Sequence, residues 1–545
     1  MRNEKKFNLT EEPWIRVVTP DCDIIEVSLA DALIHAHEFT GLAGELPTQD
    51  AAILRLLLAV LHTIVSRNGP DGDDILIDED NADEVWGDLW DEGWFPEEAI
   101  REYLSYWYDR FWLFHPERPF YQVPDLEAGT EPKEVAKLNG EVSESANKIR
   151  MFSPRAGEWK QRLSYGETAR WLVHINSYDD ASLKKPSPKI GWLGKLGVVT
   201  ARGNSLFETL MLNLILLDYN EEPWGRNIPT WEASLHREKE LELCSVPIPD
   251  NPAQLYTMQF RRMCLLDEDG FVRQYKAASG DWFDDTAIRG GFREPMTAWR
   301  LAGDKNGKWH VPKKFAREVQ IWREFSSMVS VRADAEKEPG TVQWCRWLLM
   351  NGLLPKDRLI TFDTIGIEYD KSMSSSITGV FSDRLSFHGS ILTEAGAIWR
   401  VLIQREVERC KEFADAVGKL AANLEKAAGH VERDGKGNLF PWYSMSAAVK
   451  AQEDYYYQID VPFRAWLEKP DPDQDDTERE ALRREWADTA KRTVLRLGEE
   501  LALRAGDTAL VGRFILEGKE KKHYSTPEAI RDFRIELNSI SKKEG

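Results

Sequence analysis

Hydrophobic positions change their spacing along this chain, and the changes mark its elements. From Phe7 to Val18 apolar residues alternate with polar ones around Pro13, and Ile24 to Val27 repeats the alternation after the Pro20-Asp21 turn. Two short strands forming an opening hairpin are predicted. Helical spacing follows over Leu29–Phe39 and over Asp50–Ser66, the latter a buried helix capped by Thr48 and interrupted by Arg55 and His62. Another helix is expected from about Pro96 to Arg110, and Trp107–Tyr121 is dense enough in aromatics to be core. Periodicity fails from Pro124 to Lys160, a stretch long enough to suggest a functional or disordered loop. Ser164 with Glu167 and Ser205 with Glu208 then read as capping boxes. The first opens a helix through Ala169, Trp171, Leu172 and Ile175, the second a helix drawn inward by Phe207, Leu210, Met211, Leu214 and Leu217.

The pattern is mixed from Pro223 to about Gly389. Strand-like runs occur at Leu255–Arg261, Met263–Leu266 and Val272–Tyr275, with a hairpin turn at Gly270, and helices are expected near Phe315–Val329 and Val342–Asn351. After Ser390 the spacing is helical throughout. Ile403, Cys410, Phe413, Val417, Leu420 and Leu424 share one face, and further helices span Leu439–Glu468, Thr477–Leu503 and Pro527–Ile540, with starts at Thr477/Glu480 and Thr526-Pro527. The expected fold is α+β: a large mixed domain with short antiparallel sheets and helices over residues 1–390, followed by a C-terminal four-helix bundle over residues 391–545.

Composition narrows the function. With 545 residues, 21 tryptophans and 42% hydrophobic content the chain is globular, and no stretch offers the roughly 20 uninterrupted apolar residues of a membrane span. No apolar signal region follows Met1, so a cytoplasmic protein without membrane partners is expected. The five cysteines form no Cys-x-x-Cys pair and read as reduced, mostly buried thiols. A net charge of −21 argues against nucleic acid until its distribution is read. Ser145–Asn204 holds eleven basic residues against four acidic ones, whereas Asp71–Glu98 holds thirteen acids and no base. Such segregation fits a protein with one face toward a polyanion, or a solvated acidic surface with a chance basic patch.

The basic stretch has a distinctive loop. Lys184, Lys185, Ser187 and Lys189 sit among Pro186 and Pro188, ahead of Gly191, Gly194 and Gly197, glycines that allow positive φ or close approach. Gly191 to Lys195 lacks both the spacing of a phosphate-binding P-loop and its Ser/Thr. Upstream, Asn147, Arg150, Met151, Phe152, Ser153 and Arg155 mix cations with an apolar pair suited to insertion or stacking. Small and polar residues gather again at Gly366–Ser376, a second possible contact loop. His35, His37 and the distant His62 match no metal-ligand motif, so no metal site is expected, and no nucleophile or zinc-hydrolase motif is present. A carbohydrate-active hydrolase with a carboxylate pair, or a protein-only scaffold, are the readings from other classes.

Several stretches together carry a resemblance. They are Phe7-Asn8-Leu9 with Pro13-Trp14-Ile15 and Val17, the block Leu113–Phe120, Ala169-Arg170-Trp171-Leu172 with His174, Gly191-Trp192-Leu193-Gly194, and Glu294–Arg300. In this order they resemble the large subunit, the CasA family, of the type I-E CRISPR surveillance complex Cascade. The resemblance implies a non-catalytic subunit, without cofactor, that recognises the protospacer-adjacent motif on double-stranded DNA, helps to open it for the CRISPR RNA, and recruits a helicase-nuclease. Its partners would be the other Cascade subunits, the guide RNA, the target duplex and that effector. The family's minor-groove loop would fall near Lys184–Pro188, a contact lysine at Lys276, and the strand-separating wedge near Lys371, Ser372 and Met373. The segment Asn147–Arg155 is similar to the loop that docks beside the guide's 5′ end and the motif. Two consecutive lysines and a proline stand where some members have glycines, and the wedge lacks a glutamine found elsewhere.

Overall fold

The computed structural model describes the chain except residues 1–3, 125, 127–130, 145–152, 180–189, 234–244, 284–291, 306, 331–335, 371–376, 431, 433–434, 436–439, 518–519 and 543–545. Two compact units emerge. The first comprises Met1–Ile321, Ser326–Pro355 and Ile360–Arg384; the second comprises Trp322–Phe325, Lys356–Leu359 and Leu385–Gly545.

The first unit is built around the Pro47–Val65 helix, apolar on nearly every face and therefore buried on nearly every face. Pro47 occupies its first turn and Leu46 its N-cap position, so Thr48 lies inside the helix, where its hydroxyl meets His174 Nε2 at 3.0 Å. The helix is long and apolar enough to cross a membrane, but 83% of its 18-residue apolar window is packed inside the protein. Arg55 at its centre forms a two-pronged ion pair with Glu294, at 2.7 and 3.0 Å, and its guanidinium lies over Tyr256 at 4.3 Å from the ring centroid. Trp192 Nε1 donates to the same carboxylate at 2.6 Å. The Glu294–Arg300 and Gly191–Gly194 stretches thus meet at one buried carboxylate.

The helices Tyr165–Tyr178 and Pro252–Thr257 pack against the Pro47–Val65 helix, and small sheets of two or three strands complete the unit, among the described residues antiparallel but for one short parallel pair (Trp282–Phe283 on Ser245–Val246). Phe7–Val18 is two strands rather than one. Lys6–Asn8 pairs with Trp112–Phe114, the chain turns through Leu9–Trp14, and Ile15–Val18 pairs with Ile24–Val27. Gly270 turns the Arg261–Glu268/Phe271–Ser279 hairpin at φ 82°. Leu255–Arg261 is not a strand: Asn251 caps a Pro252–Thr257 helix by accepting from Gln254 N at 2.8 Å, and the strand begins only at Arg261. Helix in Phe315–Val329 is confined to Ile321–Val329, the first four residues as a 3-10 turn. The acidic stretch carries an unanticipated helix, Ala82–Glu92, with buried Trp86 donating to Met211 O at 2.9 Å.

The second unit centres on the 32-residue helix Ala397–Ala428, whose buried face includes Ile403, Cys410, Phe413, Val417, Leu420 and Leu424. Ser446–Leu467, Asp476–Arg504 and Thr526–Lys542 pack around it to complete a four-helix bundle. The third helix is capped two residues earlier than Thr477/Glu480 suggests, by an Asp475/Glu478 capping box. A short helix, Gly506–Val511, and a hairpin of Arg513–Glu517 with Glu520–Tyr524 precede the last helix. Trp322 also belongs to this unit: its ring stacks on Phe463 at 4.2 Å between centroids and its Nε1 donates to Asp460 at 2.8 Å.

Candidate nucleic-acid interface

The Tyr165–Tyr178 helix is the pedestal of the candidate interface. Ser164 and Glu167 form the predicted capping box, and burial of Ala169, Trp171, Leu172 and Ile175 fixes the helix in the first unit. Each basic or polar segment singled out above is rooted in or beside this helix.

At its C-terminal end four separated stretches meet. Gly191 N–H donates to Asp179 O at 3.0 Å, which closes the base of the segment carrying Lys184, Lys185, Ser187 and Lys189. The Tyr369 hydroxyl donates to Tyr178 O at 2.6 Å, and Lys371, Ser372 and Met373 begin two residues beyond Tyr369. Lys314 donates to Gly194 O at 2.6 Å and sits 5.3 Å from the centroid of the Tyr369 ring. Burial lowers the Lys314 pKa, and the charge of Glu368 opposes part of that shift. Asp179 is itself buried and accepts from Arg261 Nε at 2.5 Å. The described residues that flank the two lysine-bearing segments therefore meet at one knot made of Tyr178, Gly191, Gly194, Lys314 and Tyr369.

The three glycines serve this knot by close approach. None has a positive φ. A methyl group on Gly194 would run into the Tyr369 hydroxyl, one on Gly191 into Ser177 O, and one on Gly197 would stand 2.5 Å from Phe315 Cδ2.

Toward the N-terminal end, Arg155 donates to Glu167 Oε1 at 2.8 Å and to Glu141 Oε2 at 3.2 Å, so its charge is held by two carboxylates. Ser153 Oγ accepts from Arg155 N at 3.4 Å. Trp171 and His174 lie against Gly140, and Lys160 pairs with Glu144. Both stems of the Asn147–Phe152 segment thus lean on the same helix as the knot. Lys276, half-buried, faces Cys264 across the hairpin whose first residue, Arg261, donates its backbone N–H to Asn176 Oδ1 at 3.2 Å.

Of the expected contact residues, Lys184, Lys185, Ser187, Lys189, Lys371, Ser372, Met373, Asn147, Arg150, Met151 and Phe152 lie outside the described residues; Ser153, Arg155 and Lys276 lie inside. The expected loop Gly366–Ser376 is corrected in part, because Gly366–Tyr369 completes the strand Leu359–Tyr369. Gly366 there makes room for the Phe381 ring of the neighbouring strand. His35 and His37 contact Glu38 near the surface while His62 is buried elsewhere, its pKa depressed to about 3 by burial. Among the described residues no group of three or more His, Cys, Asp or Glu could hold a metal, and Cys264, Cys345 and Cys410 are buried free thiols while Cys22 is exposed. Tyr369 and Lys314 were not legible as site residues, because their partners lie more than a hundred positions away in sequence.

Comparison with known proteins gives consistent matches. Residues 8–497 match the family model described as CRISPR-associated protein Cse1. A Thermus thermophilus protein described as CRISPR-associated protein CasA/Cse1 is 34% identical over 335 residues, which cover 60% of this chain and 61% of that one. The crystal structure of Thermobifida fusca Cse1 superposes with a TM-score of 0.79 at 28% identity, covering 98% of both chains. Cse1 from Acidimicrobium ferrooxidans gives 0.77 at 26% identity over 99% of both. A chain of a structure titled CRISPR RNA-guided surveillance complex shares the fold, with a TM-score of 0.61 at 17% identity over 92% of this chain and all of that one.

Proposed function

Because the chain belongs to the Cse1 (CasA) family of CRISPR-associated proteins, we propose that it acts as the large subunit of an RNA-guided Cascade surveillance complex in the cytoplasm. In this role it assembles with the other subunits and the CRISPR RNA and performs no catalysis of its own. It reads the protospacer-adjacent motif on double-stranded DNA, promotes strand separation and R-loop formation, and recruits the helicase-nuclease.

The observation that carries this reading is the common root of the two lysine-bearing segments at the Tyr178–Gly191–Gly194–Lys314–Tyr369 knot. A duplex laid across that root meets Lys184, Lys185 and Lys189 from one segment and Lys371, Ser372 and Met373 from the other. Phosphate contacts from the first offset the unstacking, of order a few kcal/mol per base step, that insertion of Met373 requires. Minor-groove reading chiefly separates A·T from G·C, so several motifs should be accepted. Arg155 is committed to Glu141 and Glu167, and its role beside the guide's 5′ end is to fix the stem that presents Asn147, Arg150, Met151, Phe152 and Ser153. Lys276, on the hairpin beside the pedestal, contributes a further contact to the duplex.

The test is target binding by the assembled guide complex, with and without this chain, across randomised flanking motifs. Motif-dependent binding that requires the chain is expected; binding indifferent to it would leave a scaffold. Replacing both Lys184 and Lys185 with alanine should weaken binding and reduce the slope of log K against log salt by about one to two.

A further inference from the structure

A cavity of about 420 Å³ opens in the first unit, lined in part by Pro47, Leu54, Leu206, Ile365, Thr200 and Thr209. Its size falls in the range of about 300–1,000 Å³ typical of small-molecule pockets, and its lining mixes apolar side chains with polar and charged ones in about equal measure. Asp50 lines it near the start of the Pro47–Val65 helix. One carboxylate oxygen accepts from Gly44 N–H at 2.7 Å. Burial pushes the Asp50 pKa up to about 7, with the Gly44 N–H and the charges of Arg16 and Arg202 acting against it. Arg202 and Arg384 stand on the rim. Asp363 holds both, its Oδ2 3.0 Å from Arg202 Nη1 and its Oδ1 2.7 Å from Arg384 Nε. The two side chains remain 44% and 53% exposed. Asp383 turns its carboxylate to the backbone N–H groups of Ile321 and Arg384, both at 2.7 Å.

We propose that this cavity binds a guanine nucleotide, base inward and phosphate at the rim. A carboxylate offers two acceptor oxygens, which match the adjacent N1–H and N2–H donors of guanine; adenine and uracil present no such donor pair. Leu54, Leu206 and Ile365, the apolar part of the lining, take the faces of the base. Arg202, already oriented by Asp363, donates to the phosphate, which a guanidinium recognises better than a lysine would. Two other occupants fit less well: an anion alone leaves Asp50 unmatched, and an apolar ligand leaves both Asp50 and the arginines unmatched. The basic residue Arg202 is thereby given a role that the duplex-binding reading does not use. The nucleotide has two possible sources, a free monophosphate or one residue of an unpaired strand.

Isothermal titration of the full chain with the four nucleoside monophosphates tests this, with guanosine and a short guanine-containing single strand as further arms. GMP should bind at least about tenfold more tightly than AMP or UMP, and guanosine more weakly than GMP. Asp50→Asn, which replaces one acceptor by a donor, should abolish the preference for GMP over AMP; Arg202→Ala should weaken GMP severalfold and leave guanosine unchanged. Tighter binding of the single strand than of GMP, with the same response to both variants, identifies strand as the source, and the reverse order identifies free nucleotide. Absence of saturable GMP or strand binding up to about 10 mM, or affinities insensitive to both variants in protein whose melting temperature is unchanged, would overturn the assignment.

Discussion

Replacing Tyr369 with phenylalanine removes one oxygen and nothing else, and the knot makes its effect calculable. The lost bond is the 2.6 Å contact to Tyr178 O. A net hydrogen bond contributes about 0.5–1.5 kcal/mol, and since Tyr369 is only half-buried, water can compensate Tyr178 O in part. A cost of about 1 kcal/mol corresponds to roughly fivefold more frequent local opening. Hydrogen exchange should therefore quicken about fivefold at the amides of Gly191, Gly194 and Lys195, whose acceptors are Asp179 O, Gly191 O and Trp192 O. The companion change Gly194→Ala drives a methyl into that hydroxyl and should cost about 1–3 kcal/mol as overpacking. The two changes are coupled. Without the hydroxyl the nearest ring atom is Cζ at 3.0 Å, so Gly194→Ala should cost less in the Tyr369→Phe background than in the native one. In the assembled complex both single variants should weaken target binding while leaving complex assembly intact. Unchanged exchange at those three amides in Tyr369→Phe, or strictly additive costs, would refute the knot as the joint support of the two loops.

Other consequences are open to measurement. Glu294→Gln leaves Arg55 charged and buried without a counter-ion, and denaturant melts should show a loss of about 3 kcal/mol, the low end for a broken buried pair because the amide oxygen still accepts from Trp192. Arg55→Met combined with Glu294→Met should recover most of that loss. Burial holds the pKa of His174 at about 4 and that of His62 at about 3. Unfolded histidines bind protons below about 6.5, so the stability these groups support is present above that pH and declines as pH falls toward 4. His174→Gln should reduce the slope of stability against pH in this window by up to about 1.4 kcal/mol per unit, measured by urea unfolding at stepped pH.

Long helices and capping residues were readable because their signals are local. The Ala397–Ala428 face and the Ser164/Glu167 box follow from spacing alone. Elements whose local signals compete were misread. Leu255–Arg261 has strand-forming side chains, but Asn251-Pro252 just upstream starts a helix that tertiary packing then holds. The Arg513–Tyr524 hairpin hid its alternation because Phe514 and Leu516 are exposed while Ile515 is buried, so both faces look apolar. At the site, the lysines and glycines announced themselves through composition. Their geometry did not, since Tyr178 and Tyr369 are 191 positions apart and neither carries any sequence mark of the other.

The assignment of Trp322–Phe325 and Lys356–Leu359 to the helical unit has a practical consequence for dissecting the molecule. No single cut separates the two units cleanly. A fragment beginning at Leu385 would lack the indole that fills the space beside Phe463 and satisfies Asp460, a vacancy comparable to a tryptophan-to-alanine change and worth about 3–5 kcal/mol. Supplying the 322–325 segment in trans, or grafting it through a short linker, should raise the melting temperature of such a fragment, and the same segment carrying Trp322→Ala should not.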